Sequence, residues 1–414
     1  MDTSTGPIDG EGRDWHNGRG DSEKEAYMET VPRLFQAPAG SFFLFGPRGT
    51  GKSTWLRREF PRALTIDLLD PETVRSYLAR PERLREAVEG APGARQVVID
   101  EIQRVPDLLN VVHQLIEEKH PGPRQFILTG SSARKLKRTG VNLLGGRLLL
   151  KTMHPFMAAE LGARFDLERS LEFGMLPLVL GSGAPAETLR SYAALYVREE
   201  VQAEGLVRNL GDFSRFLESV SFSQGSPLSM AEVARECGVE RRTADGYLDI
   251  LEDLLLGFRV QVFNKRAKRI LVRHPKFYYA DAGVFRSIRP RGPLDASSEI
   301  GGACLEGLVA QHLRAWIAYS RGEHSLGYWR TKSGTEVDFV VYGDHAFAAI
   351  EVKHARSVSA KDLRPLRAFL EDYPAAKACF VYRGKARLRV GGIACVPCGD
   401  FLAGLKPGSP ILPA

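Results

Sequence analysis

The spacing Gly46-x-x-x-x-Gly51-Lys52-Ser53, set between an apolar run and an apolar-spaced segment, constrains this chain more than any other feature. Phe42 to Phe45 read as a short buried strand, and the stretch from Lys52 onward reads as a helix. Strand, glycine-bent turn and helix together curl backbone N–H groups around an anion, and the helix N-terminus adds a favourable field. Gly46, Gly49 and Gly51 allow the turn, with Thr50 and Thr54 beside the Lys52-Ser53 pair. Lys52 is then expected to reach the β- and γ-phosphates of a nucleotide, and the Ser53 hydroxyl to ligate Mg²⁺. The plainer reading, a glycine turn with a surface lysine, leaves the flanking strand and helix unexplained.

The segments beyond this turn fit the same chemistry. Ala63 to Leu68 reads as a second strand, and Pro71 to Glu89 as a helix with proline at its start and Gly90 near its stop. In Gln96 to Ile102, QVVIDEI, a buried strand presents Asp100 and Glu101 at its carboxyl end, where open α/β sheets gather ligands. Asp100 is expected in the Mg²⁺ shell and Glu101 beside the attacking water; the alternative is a strand ending in an exposed acidic turn. Pro106 to His120 reads as a helix. Gln125 to Thr129 is another apolar strand, ending in Gly130-Ser131-Ser132, and Ser131 or Thr129 is the candidate to touch the γ-phosphate or the water. Arg147, inside LLGGRLLL, is either a finger reaching a neighbour's phosphate or an ordinary salt-bridged arginine. Strands alternating with helices predict a mainly parallel sheet covered on both faces.

At 414 residues, with 43% hydrophobic and 26% charged residues, the chain has room for two or three globular domains. A net charge of +7 is compatible with an anionic partner. Five scattered cysteines argue for a reducing compartment, and Cys395-Val-Pro-Cys398 reads as two core thiols rather than half a metal site. No apolar run approaches the ~20 residues that cross a bilayer, and the start lacks the order of a signal peptide, so a cytoplasmic, non-membrane protein is expected.

Residues 1–25 read as a disordered tail, followed by a short helix from Ser22 to Phe35; 26–155 form the nucleotide domain and 156–222 a helical lid. In 223–290, Ser229 and Glu232 suggest a capping box, Cys237-Gly238-Val239 a tight turn, and the run from Glu240 a second helix. That is a helix-turn-helix pattern, with Arg241, Arg242 and Thr243 where duplex contacts are made. Lys265, Arg266, Lys268, Arg269, Arg273 and Lys276 then form a basic ribbon, read as a wing on DNA or as a packing module. Pro290 to Ser298 is a plausible boundary. Beyond it, in 299–400, Asp338 and then Glu351-Val352-Lys353 lie on two strands in the manner of a PD-(D/E)-x-K nuclease. Asp338 and Glu351 would hold Mg²⁺, Lys353 would act on water, and Glu306 would complete the set; the alternative is a nuclease-like fold that does not cut. His312, on the buried face of a helix, reads as a packed core histidine.

GPRGTGKST, VVIDEIQRVPDLL, FILTGSSA, LLGGRLLL, FYYADAGV, YWRTKSGTEVDFVV and AIEVKHA together resemble a large family of bacterial and archaeal AAA-type ATPases with a C-terminal domain of unknown function. The resemblance spans Phe35 to about Val390. It implies an α/β P-loop core with ATP and Mg²⁺ as cofactors, a winged-helix middle and a restriction-endonuclease-like end. Lys52, Ser53, Asp100 and Glu101 then match the nucleotide residues, Ser131 and Arg147 the sensor and G-R positions, and Asp338, Glu351 and Lys353 the nuclease-like triad. The expected activity is ATP hydrolysis by a ring-like homo-oligomer that processes branched or duplex DNA. The alternative is a nucleotide-controlled binding protein whose nuclease-like domain is silent.

Overall fold

Phe42–Phe45 (β1) is a strand because its side chains alternate between two apolar layers. Phe43 and Phe45 join Ile99, Leu128 and the helix residues Leu108, Leu109 and Val112 on one face. Phe42 and Leu44 join Val98, Ile127, Phe35 and Trp55 on the other. The computed structural model describes residues 31–118, 124–131, 147–196, 201, 209–265, 274–293 and 295–412. Around β1 runs a five-stranded sheet in the order β2-β3-β4-β1-β5, with Leu64–Asp67 (β2), Gln96–Asp100 (β3), Gln125–Gly130 (β4) and Leu149–Thr152 (β5). Every pairing in it is parallel, which is why both faces need helical cover. Lys52–Glu59 (α1) covers one face and Leu108–Glu117 (α2) the other.

Short helices fill 158–191, and then Leu210–Ser221 (α3), Met230–Cys237 (α4) and Arg241–Asp253 (α5) pack on one another. Gly238, at φ 68°, makes the left-handed turn that ends α4. The second sheet holds eight strands in the order β12-β13-β11-β10-β9-β8-β6-β7. They are Gly257–Val262 (β6), Lys276–Tyr279 (β7), His324–Arg330 (β8), Glu336–Gly343 (β9), Ala346–Lys353 (β10), Lys377–Tyr382 (β11), Leu388–Val390 (β12) and Ile393–Pro397 (β13). The long helix Ser297–Tyr319 (α6) packs on one face and Arg364–Asp372 (α7) on the other.

Four local expectations change. Residues 31–35 are not helical; the rest of the expected 22–35 helix, the 1–25 tail, Ser132 and Arg266 to Arg273 lie outside the described residues. The 71–89 helix is two helices, Pro71–Ala79 and Arg83–Glu89, because Pro81 forces Arg80 into an extended conformation at φ −154°. Ser229 occupies the N-cap of α4 without a side-chain cap bond, so the capping box does not form. The β6–β7 ribbon, read as a wing on DNA or as a packing module, is not a separate wing: it is the edge of the C-terminal sheet, joined to it where Gln261 and Val262 run parallel to Gly327 and Tyr328.

Candidate nucleotide site and C-terminal carboxylate cluster

Sheet order brings the acidic and basic ends together. β4 lies between β1 and β3, so the turn after β1, Thr129 on β4 and Asp100 at the end of β3 share one edge. Gly49 and Gly51 take φ of 78° and 83°, values that a side chain would strain. A Cβ on Gly46 would lie 2.5 Å from the Met153 carbonyl oxygen. Thr50 is buried and its hydroxyl donates to the Pro47 carbonyl at 2.8 Å, bracing the turn from inside.

Lys52 is buried, with its ammonium donating to the carbonyls of Gly46 at 2.6 Å and Pro47 at 3.3 Å. Next to it the Ser53 hydroxyl donates to Asp100 Oδ2 at 2.6 Å, and the Thr129 hydroxyl donates to Asp100 Oδ1. Glu101 stands at φ 61°, a left-handed conformation uncommon outside glycine and concentrated at functional sites. Its N–H donates to Thr129 Oγ1 at 3.1 Å, and its carboxylate accepts from Gln103, which also donates to Ser131 at 3.3 Å. The structure therefore brings Lys52, Ser53, Asp100, Glu101 and Ser131 into one cluster. Thr129, the alternative candidate to Ser131, joins them, and the structure adds Gln103.

A cavity of ≈480 Å³ opens beside this cluster, walled by Phe35, Thr54, Trp55, Phe156 and Leu178 among others. Arg33 sits between cavity and loop. Its guanidinium donates to the Thr50 carbonyl at 2.7 Å, to the His154 carbonyl at 2.6 Å and to Glu160 at 3.1 Å, and lies 4.6 Å from the Phe156 ring centre. Tyr319, the last residue of α6, accepts from the His154 N–H at 2.8 Å and packs its ring on Phe35. Sequence spacing could not expose Arg33, whose acceptors lie 17, 121 and 127 residues away. Arg147 lies elsewhere. It precedes β5, whose first residue pairs with Phe42, so it stands at the opposite end of the parallel sheet from the loop and is ion-paired with Glu117.

In the second sheet, β9 and β10 run antiparallel and place Asp338 against the start of the Glu351-Val352-Lys353 run. The Val352 N–H donates to Asp338 Oδ2 at 2.9 Å. Asp338, Glu351 and Glu306 do converge, and burial together with Asp338 pushes the Glu351 carboxyl well above the usual range and Glu306 up to about 7. Lys353 is exposed at the end of β10, a departure from the expected triad. The ammonium that meets the acids comes from Lys276 on β7, which lies 2.6 Å from Glu336, 3.0 Å from Glu306 and 3.1 Å from Asp338. Burial opposes its charge, but Glu306, Tyr278, Asp338 and Glu336 outweigh burial and hold it well above the ordinary lysine value. Among the described residues no three carboxylate, histidine or cysteine groups are arranged to hold a metal ion. Cys395 and Cys398 are both buried free thiols, the latter pushed up to about 12 by burial.

With this geometry in place, three family models match the chain in succession. Residues 39–162 match an AAA domain. Residues 164–295 and 301–401 match two domains of unknown function, DUF8612 and DUF4143. The chain is 28% identical over 378 residues to the uncharacterized proteins Rv2008c of Mycobacterium tuberculosis and Mb2031c of Mycobacterium bovis, covering 89% of this chain and 82% of each of theirs. Among solved structures, the Aeropyrum pernix ORC2 protein in its ADPNP–ADP complexes aligns at 11% identity with a TM-score of 0.32, over 72% of this chain and 95% of that one. The replication initiator DnaA bound to AMPPCP and single-stranded DNA aligns at 14% identity with a TM-score of 0.26, over 58% of this chain and 89% of that one. Residues 39–162 therefore carry an AAA-type α/β core, and no helix among the described residues is long and apolar enough to cross a membrane.

Proposed function

We propose that this chain binds ATP with Mg²⁺ at the turn after β1, hydrolyses it, and couples the cycle to DNA held by its middle domain. The observation that carries the reading is the contact of the Ser53 hydroxyl with Asp100 at 2.6 Å, directly beside the Lys52 ammonium. A hydroxyl and a carboxylate that close together form a hard-oxygen pair suited to Mg²⁺, which when bound neutralises charge on the phosphate oxygens. Lys52 leaves two backbone carbonyls for the incoming phosphates, which the turn and the N-terminus of α1 would receive. Glu101 holds the attacking water and accepts its proton, with Gln103, which also donates to Ser131, fixing the carboxylate. The adenine takes the cavity between Trp55 and Phe156.

The DNA part of the reading rests on α4, the Gly238 turn and α5, with Arg241 and Arg242 exposed at the start of α5. A homo-oligomer would let Arg147 meet a neighbour's nucleotide, since it cannot meet its own. The test is ATP turnover with and without linear, single-stranded and four-way DNA. Lys52→Ala is expected to lower turnover about 10²-fold or more, and DNA to raise it in the unmodified protein. If DNA neither binds in a salt-dependent way nor changes turnover, the chain is a nucleotide-controlled binding protein instead. If calorimetry shows no ATP binding, both readings fail.

A further inference from the structure

The C-terminal sheet resembles a metal-dependent cutting fold in the placement of its acids, yet its centre holds a cation of the chain's own. We propose that the Lys276 ammonium fills the place of a divalent ion among Glu306, Glu336 and Asp338, and that this cluster works without a metal. The inference stands apart from the nucleotide reading and would survive its failure.

The fit is one of number and direction. An ammonium has three protons and no acceptor. Lys276 lies within 2.6 to 3.1 Å of three carboxylates and is fully buried. Those acids are further engaged by protein donors. Tyr278 donates to Glu306 at 2.6 Å, Arg330 to Glu336 at 2.8 Å and the Val352 N–H to Asp338 at 2.9 Å. A divalent ion entering this space would have to expel a buried charge and take ligands already committed. Glu351 Oε2, by contrast, is buried without a partner beside Asp338, so one oxygen of the cluster would be ready for a cation if the amine were gone. The fold delivers Lys276 securely. β7 pairs with β6, and its outer side meets Gln224 and Pro227 through isolated bridges to Phe277 and Lys276.

Terbium(III) tests this, because it takes oxygen ligands like Ca²⁺ and emits when a nearby tyrosine is excited, and Tyr278 touches Glu306. The full-length protein without nucleotide is titrated with Tb³⁺. Wild type is expected to give no tyrosine-sensitised emission that Asp338→Asn removes. Lys276→Met is expected to gain such emission, with apparent affinity at least about tenfold tighter than any wild-type signal. Lys276→Met/Glu336→Gln removes one negative charge with the amine, and serves if the single variant fails to fold. Saturable wild-type emission abolished by Asp338→Asn overturns the proposal on its own. So does a folded Lys276→Met or double variant that stays dark.

Discussion

At the scale of single residues, His312 shows how far local chemistry can be read from a chain. Its position on the buried face of an apolar helix marks it as a core histidine, and the structure gives it two partners. Nδ1 donates to the Leu308 carbonyl at 2.8 Å, and Nε2 accepts from the Ala158 N–H at 2.9 Å. That ring must be neutral, and burial lowers its pKa to about 4 from an ordinary 6.5. The unfolded chain takes up a proton below about 6.5 while the folded one resists until about 4. The contribution is therefore complete above pH 6.5 and is lost as pH falls through that window, by on the order of 3 kcal/mol. In urea unfolding at several pH values, the stability gap between wild type and His312→Gln is expected to be widest above pH 6.5 and to narrow toward pH 4. Lys52, Ser53, Asp100 and Glu101 are legible because each sits at a fixed offset within a strand–turn–helix or at a strand end. Lys276 is not, because only the pairing of β7 with β6 carries it to acids 30 and 62 residues away. Strand alternation offers that place to Lys353, on the face of Glu351, yet Lys353 ends exposed.

At the scale of elements, periodicity locates β1 to β4 of the first sheet and β9 and β10 of the second, leaves β8, β11 and β12 unread, and the misreadings come from what periodicity cannot see. Pro81 divides one apolar-spaced segment into two helices because the residue before a proline avoids helical geometry. The β6–β7 hairpin has the alternation of a wing, but its edge is free to pair, and it pairs with β8. The end of α6 carries a further consequence. Tyr319 is the acceptor for the buried His154 N–H, and the phenol approaches Arg33 at 3.5 Å. Tyr319→Phe leaves that N–H without its partner, and is expected to cost about 1–3 kcal/mol in denaturant unfolding. A phenylalanine that leaves stability unchanged would show that the hydroxyl carries no such weight.

At the scale of the molecule, the AAA-type core and the C-terminal sheet are not two beads on a string. Gln311 donates to the Phe156 carbonyl at 3.1 Å, His312 receives the Ala158 N–H, and Tyr319 reaches His154, all along the segment that leaves β5. That same segment backs the turn after β1, where the Met153 carbonyl approaches Gly46. A fragment ending near residue 290 keeps every residue of the nucleotide cluster yet loses these three supports. It is expected to bind ATP at least about tenfold more weakly than the whole chain in calorimetry, and equal affinity would show the support to be dispensable.

Arg33 ties these parts together. One guanidinium touches the loop through Thr50, the exit of β5 through His154, and the wall of the cavity through Phe156. Whatever slides into that cavity leans on a keystone whose far side is the tip of α6. Arg33 thus links the cavity wall to the C-terminal half over a few ångströms, through packed side chains rather than a flexible tether.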